Sequence, residues 1–330
     1  MKCDDWNKWK TGKNLVNNMI RNEKIKIEEE KMFEISDDAT GRQLWQMVKA
    51  NAGWLKSLAP KSLMIKGIQV TSPKLMADTI NKAFLNKISN ICTQLGDPTE
   101  DPLTTLNLAM QKWEHKDRIK TFELRKITPK RTREIINKLK NSHSECIRGL
   151  SNHIIKLSIE PLVLPLTYLI NQCIEQSKFP NKWKLSKVVP LYKGKGKIDE
   201  PTNYRPISLL NPMSKVLEKE IQHQLCQHME KNELWNPDLN AYRPNHSTIT
   251  ALIDVMENWT MNIDYKKQNM TVFTDLSAAF DCVKHKVLLR KLEAYKTGPK
   301  TLKLLESYLE NRSQLVTVNG ANSDWLPTSE

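Results

Sequence analysis

Residues 1–119 follow a helical pattern, in which apolar positions recur every three or four residues among many lysines. The stretches IRNEKIKIEEEKMF, GRQLWQMVKANAGWL and SPKLMADTINKAFLNKISNI each predict a helix. Ser72 and Pro73 supply an N-cap and a first-turn proline for the third helix. The stretch LGDPTEDPLTT, at 95–105, is rich in turn formers and predicts a linker.

From residue 120 onward, helical and strand patterns are mixed. TPKRTREIINKLKN, at 128–141, predicts a helix that Thr128 caps. VVPLY predicts a strand, KGKGK a flexible turn, and NYRPIS a second extended stretch. TVFTD predicts a buried strand that ends on Asp275. Because a lone buried carboxylate is unfavourable, this strand either ends at solvent or delivers Asp275 to a cation.

Composition predicts a folded, strongly basic protein. The 330 residues are 39% hydrophobic and include nine tryptophans, which is enough to build real cores. Lysine and arginine total 51 against 37 acidic residues, and the net charge is +14. This charge favours a polyanionic partner, of which nucleic acid is the first candidate. Solvated lysines on the surface would produce the same net charge without any such partner.

The six cysteines are scattered and form no C-x-x-C pair, which argues against a zinc knuckle and suits a reducing compartment. The most apolar run, PLVLPLTYLI, is too short to span a bilayer. We therefore expect a soluble intracellular protein without a membrane partner, in either the nucleus or the cytoplasm. His223, Cys226 and His228 are spaced poorly for a metal site, so the sequence predicts that they lie on a helix surface.

Two basic elements are candidates for phosphate contacts. The helix at 128–141 has a basic face from which we assign Lys130, Arg131 and Arg133 to nucleic acid, with a solvated face as the alternative. The lysines of KGKGK suit a phosphate chain, but the same turn also fits a flexible surface hairpin. Arg205, held between Tyr204 and Pro206, either presents its planar fork to a phosphate or stacks on Tyr204 as a structural residue.

Four blocks occur in a fixed order: FPNKWKLSKVVPLYKGKGK with NYRPISLLNPMSKVLEK, then NAYRPNHSTITAL, then TVFTDLSAAFDCVKHKVLLRKL, then SYLENRSQLVTVNG. Together they resemble the reverse transcriptase of a jockey-type non-LTR retrotransposon, over roughly residues 120–330. The resemblance implies an α+β right-hand polymerase. Residues 120–270 would form its fingers and 271–330 the start of its palm. Residues 1–119 would be a helical, lysine-rich segment between a missing endonuclease and the polymerase.

The resemblance also implies roles for individual residues. Asp275 matches the first catalytic aspartate, which binds Mg²⁺, with Mn²⁺ as a possible substitute. Phe280 matches the aromatic gate beneath the sugar, and Asp281 just after it is predicted to cap a helix. Further matches are the triphosphate-binding residues Lys193, Lys195 and Arg205, and the template-contacting Arg243.

The chain departs from the family at three places. Ala241 and Tyr242 stand where the family usually has Gly-Phe, and Arg148 replaces an acid. The family continues to G-x-P-Q-G and an A-D-D strand pair, whereas the given residues end at Glu330. We therefore expect an incomplete RNA-directed DNA polymerase, without the rest of the palm and the thumb and inactive alone. Its partners would be an RNA template, a DNA primer and deoxynucleoside triphosphates. The alternative is a non-catalytic basic RNA- or DNA-binding protein.

Overall fold

The computed structural model describes residues 60–65, 67–95, 101, 103–104, 119–236, 238–276 and 278–328. The two helices predicted before residue 59 and most of the predicted linker lie outside these ranges. No helix within the described ranges is long and apolar enough to cross a membrane.

The described residues combine helices with a mixed sheet, so the α+β class is confirmed. The helices are α1 (Pro73–Leu95), α2 (Pro129–Lys138), α3 (Asn152–Leu157), α4 (Ile159–Gln176), α5 (Pro212–Lys231), α6 (Thr248–Asp264), α7 (His285–Ala294) and α8 (Pro299–Leu309). The strands are β1 (Leu63–Ile65), β2 (Ile68–Val70), β3 (Leu185–Tyr192), β4 (Tyr204–Leu209), β5 (Ser313–Val318), β6 (Ala321–Asn322) and β7 (Leu326–Pro327).

Strand β3 is central in the main sheet, whose order is β4-β3-β5-β6 with β7 paired to β5. It runs antiparallel to β4 and parallel to β5. The strands predicted from VVPLY and NYRPIS are therefore confirmed, and they are neighbours. Their register places Leu191 opposite Arg205 and Tyr192 opposite Tyr204.

Helix α1 covers this sheet. Met76, Ile80 and Phe84 recur at the four-residue helical spacing and are buried against Val188 and Val316. A buried polar contact adds to this packing, since the Gln314 amide donates to the Asn81 side-chain oxygen at 2.9 Å. Part of the lysine-rich segment predicted to precede the polymerase is thus integral to the core of the sheet.

A second core is mainly helical and is built from α2, α4, α5 and α8 around the segment that precedes β3. Phe179 is fully buried there and makes edge contacts with the rings of Trp183 and Tyr308. Helix α2 starts as predicted, because the Thr128 hydroxyl accepts from the Arg131 amide at 3.2 Å and Pro129 occupies the first turn.

The strand predicted at TVFTD is absent, and this prediction was wrong. Residues 271–276 form no regular element, and the side chains of Val272 and Phe273 are 75% and 86% exposed. A strand requires a hydrogen-bonding neighbour, and no strand among the described residues pairs with this segment. Its high strand propensity is therefore not realised here.

Asp281 does not cap a helix, contrary to the prediction. It lies in a turn in which its amide donates to the Ala278 carbonyl at 3.0 Å. Helix α7 begins only at His285, with Lys284 at the N-cap position. The intervening turn therefore separates Asp281 from the helix that it was expected to start.

Helix α8 takes its N-terminal cap from a distant residue. Gly298 offers no side chain at the N-cap, and the Glu123 carboxylate accepts from the Lys300 amide at 3.2 Å and the Thr301 amide at 2.9 Å. This arrangement satisfies two of the unpaired amides at the helix start and places a negative charge at the positive end of the helix dipole.

Gly298→Ala is expected to lower the free energy of unfolding by about 1–3 kcal/mol, since overpacking at a close contact is destabilising. An added Cβ would lie 2.3 Å from Glu123 Oε1 and 2.9 Å from Thr121 Cγ2. Urea denaturation of the two single variants and the Gly298→Ala, Glu123→Ala double variant measures the effect. The double variant should lose less free energy of unfolding than the sum of the losses in Gly298→Ala and Glu123→Ala. Additive losses would show that the added methyl group and the Glu123 side chain do not clash.

Candidate functional site

The hairpin between β3 and β4 brings the predicted phosphate-binding residues together. Arg205 lies on β4 opposite Leu191, and the Lys193 amide donates to the Asn203 carbonyl at 2.9 Å. Lys193 and Arg205 therefore stand at the same end of adjacent strands. Lys195 follows in the exposed loop, between Gly194 and Gly196.

The KGKGK loop is tied to the hairpin by side chains, which the prediction of a flexible turn did not foresee. The Tyr204 hydroxyl donates to the Ile198 carbonyl at 2.6 Å, and the Tyr192 hydroxyl donates to the Gly196 carbonyl. Gly196 has a positive φ of 79° and lies so close to Asn203 that an added Cβ would be 2.4 Å from its amide nitrogen. Glycine is thus required here both by conformation and by space.

The aromatic residues near the hairpin are packed rather than free to stack on bases. Tyr204 and Trp183 are buried, and the Tyr204 ring lies 5.7 Å from that of Tyr192. Arg205 is exposed on its strand. Its side chain is therefore available to solvent and to a ligand.

Positive charge accumulates around Lys193. Burial is the main cause that lowers the pKa of its ammonium, and the nearby charges of Lys87 and Arg205 lower it further. The ammonium also donates to the Thr202 carbonyl. Lys87 belongs to α1 and lies about one turn beyond Phe84, which packs in the core with Tyr204. Sequence reasoning missed Lys87, because only tertiary packing places it near the hairpin.

Asp275 and Phe280 lie in exposed, irregular chain. No hydrogen bond or ion pair within the described residues joins Asp275 to Lys193, Lys195 or Arg205. The Phe280 side chain is 75% exposed, and its ring meets that of Tyr242 edge to face at 5.7 Å. Tyr242 is one of the two departures from the family's Gly-Phe, and it has a left-handed φ of 59°.

Arg243 lies mostly buried between its own loop and α5. One guanidinium nitrogen is 3.8 Å from Glu230 Oε1, and Nε is buried without a hydrogen-bond partner. The loop that carries Arg243 precedes α6, which begins with a capping box between Ser247 and Thr250.

The basic face of α2 is partly neutralised by ion pairs. Arg131 donates to Glu220 at 2.8 Å, and Arg133 forms a two-pronged pair with Glu160. Lys130 is exposed and has no ion pair within the described residues. The tertiary fold therefore gives Arg131 and Arg133 structural partners that the linear sequence did not reveal.

The predicted surface position of the α5 histidines is confirmed for His223 and wrong for His228. His223 is exposed, whereas His228 is buried with its Nε2 2.8 Å from the Tyr295 carbonyl oxygen. The Asn232 amide lies 3.1 Å from the other ring nitrogen. Helical spacing shows which residues share a face, but not which face a neighbouring segment covers.

Among the described residues, the side chains around Asp275 do not form a complete metal site. Within the described ranges, no group of three or more His, Cys, Asp or Glu side chains could hold a metal ion. Asp275 is exposed and brings no second carboxylate with it. Two closely spaced magnesium ions require several oxygen ligands, so the residues present do not by themselves form such a site.

Part of the chain matches a known protein family. Residues 193–329 match the family model described as reverse transcriptase (RNA-dependent DNA polymerase). This range includes the β3–β4 loop, Arg205, Asp275 and Phe280. Residues 193–329 are thus similar to a reverse transcriptase domain.

Several curated relatives come from transposons and mobile elements of Drosophila melanogaster. The chain is 29% identical over 200 residues to the probable RNA-directed DNA polymerase from transposon BS, and 30% identical over 190 residues to that from transposon X-element. It is 26% identical over 207 residues to the RNA-directed DNA polymerase from mobile element jockey. These matches cover 60%, 58% and 63% of the chain but only 22%, 21% and 22% of the relatives. The resemblance to jockey-type elements is confirmed.

Proposed function

We propose that this chain supplies the fingers and the first palm residues of a non-LTR retrotransposon RNA-directed DNA polymerase. The polymerase would transfer deoxynucleotides to a primer 3′-OH on an RNA template. The observation that supports this most is the hairpin, which presents Lys193 and Arg205 side by side within the reverse transcriptase domain. Residues 120–270 and 271–330 keep their proposed roles as fingers and start of the palm. Residues 1–119 keep theirs as the helical segment before the polymerase, with α1 packed on the sheet.

The hairpin's proposed role is to hold the triphosphate of the incoming nucleotide. Arg205 offers a planar fork of donors, and Lys193 and Lys195 offer compact charges. Burial and neighbouring cations lower the pKa of Lys193, and a bound polyanion would relieve the repulsion among these cations. The ammonium of Lys87, on α1, adds a further positive charge that would attract the triphosphate.

Phe280 is proposed to lie beneath the sugar, and Asp275 to be the first metal-binding carboxylate of the complete polymerase. Divalent metal, when bound, supplies the charge neutralisation needed for phosphoryl transfer. Because the present donor set is incomplete, Asp275 is assigned here only as one ligand. Arg243 and Lys130 are proposed to contact nucleic acid. Arg131 and Arg133 are proposed to contact it as well, but only if nucleic acid displaces their carboxylate partners.

Alanine at Lys193 or Arg205 is expected to weaken binding of a deoxynucleoside triphosphate by about tenfold each, the loss of one charge-assisted contact. Isothermal titration on the 330-residue chain measures the affinity. Lys182→Ala is the matched control, since Lys182 is exposed on the short turn before β3. Equal losses in the control and in the hairpin variants would remove the triphosphate role from the hairpin.

A further inference from the structure

A cleft of about 590 Å³ lies between residues 120–125 and the last turns of α5. We call it the α5 cleft. Its volume falls within the range of about 300–1,000 Å³ that is typical of ligand sites. One wall, formed by residues 120–125, lies before residue 193 in the sequence, where the match to the reverse transcriptase model begins. None of the proposed phosphate-binding residues of the hairpin lines the cleft.

The α5 cleft is electrically positive. Lys120, Arg125 and Lys231 line it, and none of them has an ion pair within the described residues. The acidic residue in the lining is Glu123, and its carboxylate is occupied by the first turn of α8. Three cations and one carboxylate, which is held by α8, thus line the cleft and leave it with a net positive charge.

The inner part of the cleft carries a fixed aromatic pair. The rings of Phe122 and His228 stack at 5.1 Å with an angle of 24° between their planes. His228 Nε2 lies 2.8 Å from the Tyr295 carbonyl oxygen, and its Nδ1 lies 3.1 Å from the Asn232 side-chain amide, so the ring is held in one orientation. Phe122 is only partly buried, so it retains accessible surface.

The wall opposite α5 is also held rigidly. The Gln224 side chain accepts from the Arg125 amide at 2.8 Å and donates to the Arg125 carbonyl at 3.0 Å. This two-point contact fixes the backbone that carries Arg125 relative to α5. The cleft therefore exists without a ligand, and binding would order little more than the long basic side chains.

We infer that the α5 cleft binds single-stranded nucleic acid, with phosphates on Lys120, Arg125 and Lys231 and a base against Phe122. A basic groove with an aromatic surface is the combination that single-strand-binding sites use. A duplex would keep its bases stacked on one another and leave Phe122 unused. This site is separate from the proposed nucleotide-binding hairpin and does not depend on Asp275.

The test is binding of a fluorescein-labelled 12-nucleotide uridine oligomer to the 330-residue chain, measured by anisotropy across a series of salt concentrations. One variant carries Lys120→Ala, Arg125→Ala and Lys231→Ala. The charge-matched control carries Lys82→Ala, Lys182→Ala and Lys303→Ala, three exposed lysines outside the cleft. Thermal melting checks that both variants remain folded.

The cleft variant should bind roughly tenfold or more weakly at 0.1 M salt, with the log-log salt slope reduced by about 2, because each phosphate contact on a single strand contributes about 0.7. The control should change less than about twofold. Equal weakening in both variants would overturn the inference, as it would indicate diffuse attraction to the +14 chain. Polyglutamate that competes as well as unlabelled RNA would also overturn it, in favour of an acidic protein segment.

A second measurement on the unaltered chain does not depend on variant folding. A 4-thiouridine oligomer should crosslink on irradiation to a peptide containing Phe122 or the end of α5. Crosslinks confined to other peptides would refute the site. The result is also distinguishable from a failure of the hairpin proposal, because neither Lys193 nor Arg205 is altered.

Discussion

A polypeptide of residues 1–330 is expected to add no deoxynucleotide to a primer annealed to an RNA template, with either Mg²⁺ or Mn²⁺. In-line nucleotidyl transfer requires metal on both the attacking and the leaving oxygen, and Asp275 brings no second carboxylate within the described residues. A gel-based primer-extension assay measures the product. Extension by this polypeptide would show that the active site lies elsewhere in the chain.

A fusion that adds the downstream residues of a jockey relative after residue 330, from G-x-P-Q-G through the A-D-D strand pair to the thumb, should extend the primer. Asp275→Asn in this fusion should bring extension below detection, because the amide keeps the shape but removes the metal-binding charge. Asp281→Asn is the matched control, since Asp281 is also exposed and lies six residues away. Full activity of Asp275→Asn would exclude Asp275 from catalysis, and equal losses in both variants would point to a disturbance of the segment.

The same fusion tests the proposed sugar gate. Phe280→Ala should raise incorporation of ribonucleotides relative to deoxynucleotides, because removal of the ring relieves the clash with a 2′-hydroxyl. Competition between the two kinds of nucleotide in single-nucleotide extension measures the ratio. Phe273→Ala removes another exposed ring seven residues earlier in the chain and should leave the ratio unchanged. An unchanged ratio in Phe280→Ala would reassign Phe280 to the contact with Tyr242.

Phe179→Ala is expected to lower the free energy of unfolding by about 3–5 kcal/mol, the loss typical of a buried phenylalanine truncated to alanine. Phe179 is fully buried, and its ring meets those of Trp183 at 5.7 Å and Tyr308 at 5.0 Å. Urea denaturation monitored by tryptophan fluorescence and circular dichroism measures the change. A loss of this size is a large fraction of the total stability of a typical domain.

Phe273→Ala is the control for the same chemical change, and should alter stability by no more than about 0.5 kcal/mol. Its side chain is 86% exposed, so little buried contact is lost. If Phe179→Ala proves too unstable to purify, Phe179→Leu should give a smaller loss in the same direction. A loss at Phe273 as large as at Phe179 would show that residues 271–276 are packed in solution.

Local sequence signals predicted several elements of the fold. The proline-started helices α1 and α2 begin where the capping residues and the first-turn prolines indicated. Strands β3 and β4 were predicted because apolar and β-branched residues flank a glycine-containing turn. The order of the four blocks also predicted the similarity to reverse transcriptases, because such blocks are recognised from linear order and spacing alone.

Other predictions failed where a neighbouring segment decided the outcome. TVFTD has the composition of a strand, yet it is exposed because no described strand pairs with it. His228 has the helical spacing of a surface residue, yet residues 120–125 and 295 cover it. Asp281 was expected to start a helix, but the chain turns before α7 begins.

The sequence by itself determined the resemblance to reverse transcriptases, the positive charge, and the starts of the well-capped helices, because these depend on residue identity and on neighbours a few positions away. Tertiary structure decided which cations remain available to a ligand. It pairs Arg131 and Arg133 with Glu220 and Glu160, and it leaves Lys120, Arg125 and Lys231 around one cleft. Contacts between residues far apart in the chain arise only on packing, so ion pairing and burial cannot be read from local pattern.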